Sequence, residues 1–286
     1  MSKNHSVFLT LTATSAIVKP VADYERLKNL LTDMGSVLIG YSGGVDSTLL
    51  AKAATDALGD KAICVLIESC LVPSSEIDDA ISLADMYGFN LVRLGVDILS
   101  LDKVPENTPE RCYHCKKALF SRLTEMANEQ GIKYVLDGSN IDDESDFRPG
   151  SKANCELGVR SPFKELGITK EHIRAISRDI GLSTWNKPSY ACLASRVPYG
   201  SRLTTELLAR IEHAEDILNE LGFGQFRVRD HGDTARIELM PLEMEKMIGH
   251  HVRECVVREF KSLGYKYVAL DLVGYHTGSM NEVIGF

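Results

Sequence analysis

The chain has 286 residues, with 32 Lys and Arg against 40 Asp and Glu, and therefore a formal net charge of −8. A hydrophobic content of 44% is enough to bury a core, so a disordered protein is excluded, and the length suits one large domain or two smaller ones. No segment has the roughly 18 to 20 consecutive apolar residues of a membrane-spanning helix, which excludes an integral membrane protein. The acidic balance argues against a protein that coats nucleic acid without sequence preference.

The seven cysteines are odd in number and scattered, which is not the pattern of a disulfide framework. They favour a reducing compartment, and we expect a cytoplasmic protein. Residues 1–21 are predicted to form an N-terminal arm. Its apolar stretch from Val7 to Val18 is broken by threonines and follows a single Lys3, unlike a signal peptide.

Alternating helical and apolar strand patterns predict a parallel sheet in the first two thirds of the chain. The predicted elements are helix 22–34, strand 36–41, helix 45–58, strand 62–68, helix 74–87, strand 91–96, helix 116–129, strand 134–136 and helix 170–180. Ser74 or Ser75 is predicted to cap the third of these helices, and Thr169 the last.

The pattern changes after a linker with two prolines at residues 185–200. The elements predicted beyond it are an amphipathic helix at 207–221, strands at 226–229 and 235–239 joined as a hairpin, a further helix, and a strand near 267–272. We therefore predict an α/β protein with a parallel-sheet domain over residues 22–200. A smaller C-terminal α/β domain, for substrate binding or oligomerisation, would span residues 201–286.

A glycine-rich run, Ser-Gly-Gly-Val-Asp-Ser, stands where the first strand gives way to a helix. Free N–H groups and the positive end of the helix dipole attract a phosphate at such a place. Gly43 and Gly44 let the backbone approach the anion, and the hydroxyls of Ser42 and Ser47 add donors. Asp46 can hold Mg²⁺ beside the phosphates. The alternative is a plain Gly-Gly turn capped by Asp46 and Ser47.

This Ser-Gly-Gly-x-Asp-Ser run resembles that of the PP-loop ATP pyrophosphatases, which have an adenine nucleotide alpha hydrolase-like fold. The resemblance implies that ATP is cleaved between its α- and β-phosphates: an acceptor oxygen is adenylated, pyrophosphate leaves, and a nitrogen or sulfur nucleophile displaces AMP. Asp137, at the end of the fourth strand, is expected at the same edge of the sheet with a Mg²⁺ or ribose role. A turn-forming Asp-Gly is the alternative reading.

Two cysteines open the helix that precedes the fourth strand. Cys112 and Cys115 are three residues apart, so they share one helical face and can bind one metal centre. Basic neighbours and the helix dipole favour their thiolates, and Cys192 in the later linker would add a third ligand. Three thiolates suit a [4Fe–4S] cluster with one open iron, or a catalytic zinc. Isolated thiols are the alternative.

Further motifs narrow the resemblance to the LarE-type sulfur transferases, over nearly the whole chain from about residue 22. They are Asn107-Thr108-Pro109, Asp146-x-Arg148-Pro149-Gly150, Arg160-Ser161-Pro162, Asn186-Lys187-Pro188, Ser195-Arg196-x-Pro198-Tyr199-Gly200, Arg227-x-Arg229 and Ala235-Arg236-Ile237-Glu238. The resemblance implies that ATP and Mg²⁺ activate a carboxylate of pyridinium-3,5-biscarboxylic acid mononucleotide. Sulfur then replaces the activated oxygen to give a thiocarboxylate, in the biosynthesis of the nickel-pincer nucleotide cofactor.

The resemblance implies two sulfur sources. In one branch a loop cysteine is sacrificed, and Cys192 would be that donor. In the other, Cys112, Cys115 and Cys192 hold a [4Fe–4S] cluster that accepts sulfur from a sulfide or persulfide donor. Because both members of the Cys-x-x-Cys pair are present, we expect the cluster branch. Cys192 and Asp46 are the predicted catalytic residues.

Other charged residues are assigned with the substrate. Arg227 and Arg229 alternate on a strand, so both should project to one face as a clamp for the mononucleotide phosphate, the alternative being exposed strand arginines. Arg196 joins them as a predicted cofactor-binding residue. Glu215 and Glu238 match acidic positions for which the resemblance implies a place at a subunit interface, and we expect a homo-oligomer, with a hexamer as the candidate assembly.

Two other functions compete with this one. A PP-loop transfer-RNA thiolase would need a basic face for the RNA backbone, which the net charge of −8 disfavours. A non-enzymatic nucleotide sensor would use the cysteines for structural zinc. We expect a small-molecule substrate, with neither a membrane nor a nucleic acid as partner.

Overall fold

The computed structural model describes residues 20–144, 149–188 and 191–276. The expectations for the N-terminal arm, up to residue 19, and for Asp146 and Arg148 lie outside these described residues. Within the described ranges, no helix is long and apolar enough to cross a membrane.

The first part of the chain forms a four-stranded, all-parallel sheet with helices around it. Its elements are α1 (Pro20–Met34), β1 (Val37–Tyr41), α2 (Val45–Leu58), β2 (Ala62–Glu68), α3 (Ser74–Tyr87), β3 (Asn90–Gly95), α4 (Arg111–Glu129), β4 (Tyr134–Leu136), α5 (Pro149–Glu156), α6 (Pro162–Glu165) and α7 (Lys170–Asp179). The strand order is β3-β2-β1-β4, so β1 pairs with both β2 and β4. The predicted parallel-sheet fold is confirmed.

Each face of this sheet has its own apolar core, because successive strand residues point to opposite sides. Val37 and Ile39 of β1 pack with the buried faces of α1, α2 and α7. Leu38, between them, packs on the other side with Phe120 and Leu123 of α4. Burial on both faces explains why β1 is a continuous apolar run.

The last part of the chain forms a second, three-stranded sheet. Its elements are α8 (Thr205–Glu220), β5 (Phe226–His231), β6 (Thr234–Leu239), α9 (Met244–Ile248), α10 (His250–Ser262) and β7 (Tyr267–Leu270). The strands β5 and β6 are antiparallel, with His231 paired to Thr234 across the predicted hairpin turn, and β7 runs parallel to β6. The helices α8 and α10 pack on this sheet around Leu218, Val228 and Phe260.

A further apolar cluster, called here the third core, joins the two parts. It comprises Leu71, Ile98, Val104, Leu193, Ala194, Val197, Leu203, Leu208 and Ile211. These residues come from loops of the parallel sheet, from the segment around Cys192, and from the start of α8. The predicted division between residues 200 and 201 runs through this core and stays a prediction.

Two predicted helix starts need correction. The helix α3 begins at Ser74 with Pro73 as its N-cap, so the prediction that Ser74 or Ser75 caps it is wrong. The Ser74 amide instead donates to Glu212 Oε1 on α8, at 2.6 Å. The helix α4 begins at Arg111, five residues before the predicted start. By contrast, the predicted Thr169 cap of α7 is confirmed, since its hydroxyl accepts a hydrogen bond from the His172 amide at 3.2 Å.

Candidate active site

The glycine-rich loop lies at the carboxyl ends of β1 and β4, where the strand order reverses. Open parallel sheets bind their ligands at this kind of crevice. The loop follows Tyr41 at the end of β1 and leads into α2 at Val45, while Asp137 and Gly138 follow β4. A Cβ at Gly138 would lie 3.1 Å from the Ser47 amide nitrogen, so the two segments are in close contact.

The backbone of the loop depends on Gly43. Its φ is +69°, and a Cβ there would lie 2.7 Å from the Cβ of Ala80 on α3. Gly44 is the N-cap of α2 in an extended conformation, and no side chain in the described part of the chain caps it. The first amides of α2 are therefore presented for a phosphate.

The two serines of the loop hold it closed. Ser47 Oγ accepts a hydrogen bond from the Ser42 amide at 3.2 Å, and the two hydroxyl oxygens are 3.1 Å apart. Ser47 Oγ also donates to the Gly44 carbonyl at 3.2 Å. These hydrogen bonds fix the conformation of the loop. Both serines lie in the loop that is predicted to bind the phosphates.

Asp46 has two partners that the sequence did not reveal. The ammonium of Lys170, at the start of α7, contacts Asp46 Oδ2. Asn140 Nδ2 donates to Asp46 Oδ1 at 3.3 Å. Because the Lys170 ammonium already neutralises this carboxylate, a Mg²⁺ would have to displace it, and the predicted Mg²⁺ role of Asp46 stays a prediction. The sequence predicted Thr169 as a helix cap, but nothing in the local pattern predicted that Lys170, the next residue, contacts Asp46.

Asp137 is the centre of a buried hydrogen-bond network. Its carboxylate accepts from Ser139 Oγ at 2.6 Å, Asn154 Nδ2 at 2.6 Å and Ser161 Oγ at 2.5 Å. Lys116 Nζ lies 4.0 Å from Asp137 Oδ2. The end of α4 that carries the cysteines is therefore next to the sheet edge where the glycine-rich loop lies. These contacts hold β4, α5 and the segment before α6 together, and the predicted Mg²⁺ or ribose role stays a prediction.

The structure brings two of the three predicted cysteine ligands to one guanidinium. Arg111 Nη1 donates to Cys192 Sγ at 3.2 Å, and Arg111 Nη2 donates to Cys112 Sγ at 3.5 Å. Cys115 and Cys192 are half-buried, whereas Cys112 reaches the surface. Arg111 is 4% exposed, and its Nε finds no hydrogen-bond partner in the described part of the chain. Arg111 is one of the basic neighbours predicted to favour these thiolates, but its contact with Cys192 was not visible in the sequence.

A clasp holds the segment before Cys112 against the segment after Cys192. The side-chain Nδ2 of Asn107 donates to the carbonyls of Val197 and Pro198 at 3.1 and 3.0 Å. The Asn107 carbonyl in turn accepts from the Gly200 amide at 3.0 Å. Asn107 adopts a left-handed backbone, with φ of +51°, a conformation that asparagine tolerates better than most residues. The clasp explains how residues about 80 positions apart share one site.

The thiols differ in their electrostatic surroundings. Burial raises the pKa of Cys115 to about 12, and the nearby Cys192 thiolate adds to this rise. Burial also raises the pKa of Cys192, but the charge and hydrogen bond of Arg111 and the charge of Arg196 outweigh it and hold that pKa below its usual value. Across the described ranges, no three His, Cys, Asp or Glu side chains are arranged to hold a metal ion.

The predicted arginines are engaged by buried glutamates. Arg196 forms two hydrogen bonds to Glu215, at 3.0 and 2.9 Å, and Arg229 forms two to Glu238, at 2.9 and 2.7 Å. Both glutamates are therefore paired inside the chain. Arg227 donates to the Phe226 carbonyl.

A cavity of about 290 Å³ lies between α3, α8 and β5. Arg227, Lys187 and Glu215 are among the residues that line it. Arg227, at 5% exposure, lines this cavity together with charged groups of both signs, whereas Arg229 points to the segment of Cys192. The phosphate clamp predicted for this pair stays a prediction.

Comparison with known proteins first gives the class. The NAD synthase family profile matches residues 22–124. A glutamine-hydrolysing GMP synthase from Shewanella halifaxensis is 29% identical over 182 residues, which cover 55% of this chain and 33% of that protein. With the glycine-rich loop at its sheet edge, the chain is an ATP-using enzyme of the PP-loop class.

Two relatives match almost the whole chain. The pyridinium-3,5-bisthiocarboxylic acid mononucleotide synthase of Lactiplantibacillus plantarum is 42% identical over 255 residues, 89% of this chain and 92% of that protein. An uncharacterized protein of Synechocystis is 40% identical over 260 residues, 91% of this chain and 97% of that protein. The chain belongs to the LarE-type family of pyridinium-3,5-bisthiocarboxylic acid mononucleotide synthases, and the family predicted from the motifs is confirmed.

Proposed function

We propose that this chain is an ATP-dependent sulfur transferase that forms AMP and pyrophosphate. Its acceptor is a carboxylate of pyridinium-3,5-biscarboxylic acid mononucleotide, which becomes a thiocarboxylate on the way to the nickel-pincer nucleotide. The observation that carries this proposal is the 42% identity, over nearly the full length of both chains, to a synthase named for the bisthiocarboxylic acid product. The glycine-rich loop beside a group of cysteines supports it independently.

The chemistry has two steps. An acceptor carboxylate oxygen attacks the α-phosphorus of ATP, and the bond to the β-phosphate oxygen breaks, so that pyrophosphate leaves. The amides of α2, the two loop serines and a Mg²⁺ held by Asp46 would bind the phosphates and neutralise the leaving group. A sulfide then attacks the acyl carbon, and AMP leaves with the oxygen. Water competes for the same carbon, so the sulfur donor must already be in place.

The sulfur donor in this proposal is the cysteine group. Cys112, Cys115 and Cys192 would hold a [4Fe–4S] cluster, and when bound it would supply a sulfide through the iron that lacks a protein ligand. The support for this assignment is that Cys112 and Cys192 share Arg111, since a cationic neighbour stabilises thiolate charge.

The substrate site in this proposal is the cavity lined by Arg227. The Arg227 guanidinium can bind the phosphate of the mononucleotide. Lys187 at the same wall is paired with Glu76 and Asp79, at 2.9 and 3.2 Å. A homo-oligomer, a hexamer in particular, and a cytoplasmic location are part of the proposal. The location is supported by the cysteines, all seven of which are free.

Anaerobic purification followed by an iron count and a visible spectrum tests the sulfur source. We expect iron in the wild-type chain and its loss when any one of the three cysteines is replaced by Ala, with pyrophosphate release partly retained. As a matched control, Cys255→Ala changes a cysteine on α10 and should leave iron unchanged. An iron-free enzyme whose Cys192 loses hydrogen sulfide on turnover would support the sacrificial mechanism instead.

Two further measurements address the competing functions. ATP-dependent pyrophosphate release should require the mononucleotide acceptor, whereas a nucleotide sensor would bind ATP without turnover. A gel shift with transfer RNA should show no salt-dependent complex, because the chain lacks the charge for it. Release stimulated by transfer RNA and not by the mononucleotide would point to a thiolase.

A further inference from the structure

Arg196 lies directly beyond the segment that carries Cys192, and it is the largest fully buried side chain in the described part of the protein, at 1% exposure. A guanidinium this deeply buried cannot meet a ligand from solvent. We propose that Arg196 and Glu215 are positioning residues: together they fix the Cys192 segment to α8, so that the C-terminal part of the chain sets where the sulfur-bearing thiol stands. The proposal rests on the proposed function only in assigning sulfur delivery to Cys192.

The guanidinium binds both sides of this junction. On one side, its Nε and Nη2 donate to the two carboxylate oxygens of Glu215, at 3.0 and 2.9 Å. On the other, its Nη1 donates to the carbonyls of Ala191 and Cys192, the latter at 3.1 Å. One planar group thus orients the backbone at Cys192 itself. A lysine could keep the charge but could not reproduce this fork of hydrogen bonds.

Glu215 extends the link to the strand that carries the predicted phosphate clamp. Its Oε1 also accepts a hydrogen bond from the Val228 amide of β5, at 3.0 Å. Val228 stands between Arg227 and Arg229 on that strand. The carboxylate therefore connects the Cys192 backbone, through Arg196, to the strand of the clamp.

A second buried pair makes the same connection from the other side. Arg229 Nη1 donates to the Ser195 carbonyl at 2.6 Å, while its other nitrogens bind Glu238. Two arginine–glutamate pairs therefore meet one short segment, residues 191–196. Removing one partner of such a pair leaves a buried charge uncompensated, so each pair resists opening. The parallel-sheet part also holds this segment, through Arg111 and the Leu71 carbonyl, which accepts from the Leu193 amide at 2.9 Å. The two buried pairs add the contacts that come from the C-terminal part of the chain.

Alkylation of Cys192 by iodoacetamide in the folded, iron-free chain measures this placement, with peptide mass spectrometry as the readout. In Glu215→Gln and Arg196→Lys we expect Cys192 to react about tenfold faster than in the wild type, because the segment opens locally. The alkylation rate of Cys255 on α10 should stay the same in both variants. In a protein that is destabilised as a whole, the rate at Cys255 would rise as well. The control Asp233→Asn removes a carboxylate from the exposed Lys266–Asp233 pair and should change neither rate.

Activity provides the second readout. With ATP and the mononucleotide, Glu215→Gln should keep its KM for ATP, while the sulfur incorporated per pyrophosphate released falls about tenfold. If Arg196→Lys does not fold, Glu215→Gln carries the test alone. A Cys192 alkylation rate within about twofold of wild type in the folded variants would overturn the proposal. If the wild-type chain transfers no sulfur, but the variants still alkylate faster at Cys192 than it does, the proposed function is refuted and the positioning role remains.

Discussion

Gly43 and Gly35 share a left-handed backbone but differ in their surroundings. Their φ values are +69° and +74°, yet a Cβ would lie 2.7 Å from Ala80 at Gly43, whereas at Gly35 no described atom lies within 4 Å. Gly35→Ala should therefore cost about 1 kcal/mol of unfolding free energy from the backbone alone. Gly43→Ala should cost about 1 to 3 kcal/mol more, because α3 must shift, and it should abolish ATP binding.

Urea denaturation and ATP titration of the two glycine variants check this prediction. Equal losses of unfolding free energy in the two variants would show that α3 can shift away from residue 43 without loss of stability. Retained ATP affinity in Gly43→Ala would show that the close approach of the backbone is not needed.

Asp46 is the predicted Mg²⁺ ligand, and its side chain is 24% exposed, so it contributes little to the core. Asp46→Ala and Ser42→Ala should lower pyrophosphate release by about 100-fold or more, because transition-state charge loses its cation or its donor. Circular dichroism should remain unchanged. Asp60→Ala, which changes an exposed carboxylate after α2, serves as the control, and turnover equal to that of the control would remove the loop from the mechanism.

Arg227 is the member of the predicted clamp that faces the cavity. Losing one charge-assisted contact of about 1.5 to 3 kcal/mol should raise the KM for the mononucleotide by about 10- to 100-fold in Arg227→Ala. The KM for ATP should stay the same, since ATP binds at the other sheet. Steady-state kinetics with each substrate varied in turn measures both values. Arg258→Ala is the control, and an equal rise in both KM values would contradict the assignment.

The residues of the phosphate loop could be predicted because their chemistry is local. Six consecutive residues define the loop, and the strand before it and the helix after it are adjacent in sequence. Lys170 could not be predicted, because it meets Asp46 across 124 positions. Arg196 illustrates the same limit: a basic residue in a motif suggests a ligand, and only tertiary structure shows the carboxylate that holds it.

At the scale of elements, the helix caps give a direct comparison. Thr204 caps α8, its hydroxyl accepting from the Leu207 amide at 3.2 Å, whereas Ser74 is the first residue of α3 and not its cap. Thr204→Ala should therefore cost about 1 kcal/mol of unfolding free energy, and Ser74→Ala less than about 0.5 kcal/mol. Thermal and urea unfolding of the two variants measures the difference. A larger loss in Ser74→Ala would restore the cap that the sequence predicted.

Element bounds were predictable where burial shapes the pattern. The bounds of α2 and β2 match the prediction, since both are apolar and flanked by glycine or charged residues. The start of α4 was predicted too late because Glu110, its N-cap, makes no capping hydrogen bond with its side chain. The cysteine spacing did indicate a helical turn there, and α4 includes both Cys112 and Cys115.

At the scale of the whole molecule, the third core predicts that the chain cannot be cut at the predicted domain boundary without loss of stability. A fragment of residues 20–200 would lose Leu203, Leu208 and Ile211, each of which is buried against the parallel-sheet part. At about 1.5 to 3 kcal/mol for each buried side chain, that loss is comparable to the stability of a typical domain. The fragment should unfold at lower urea than the full chain, or aggregate. A fragment as stable as the full chain would instead establish the predicted boundary.

The third core also limits how the enzyme can exchange its substrates. Leu193 and Val197 stand beside the Cys192 thiol, and the same two side chains fill a core that residues from α8 complete. The two sheets therefore cannot swing apart as rigid bodies without exposing that core to water. Product release by movements of side chains and short loops would keep that core buried, whereas a hinge opening between the sheets would expose it. An enzyme that handles a hydrolysable adenylate would thereby stay closed around its chemistry through the whole catalytic cycle.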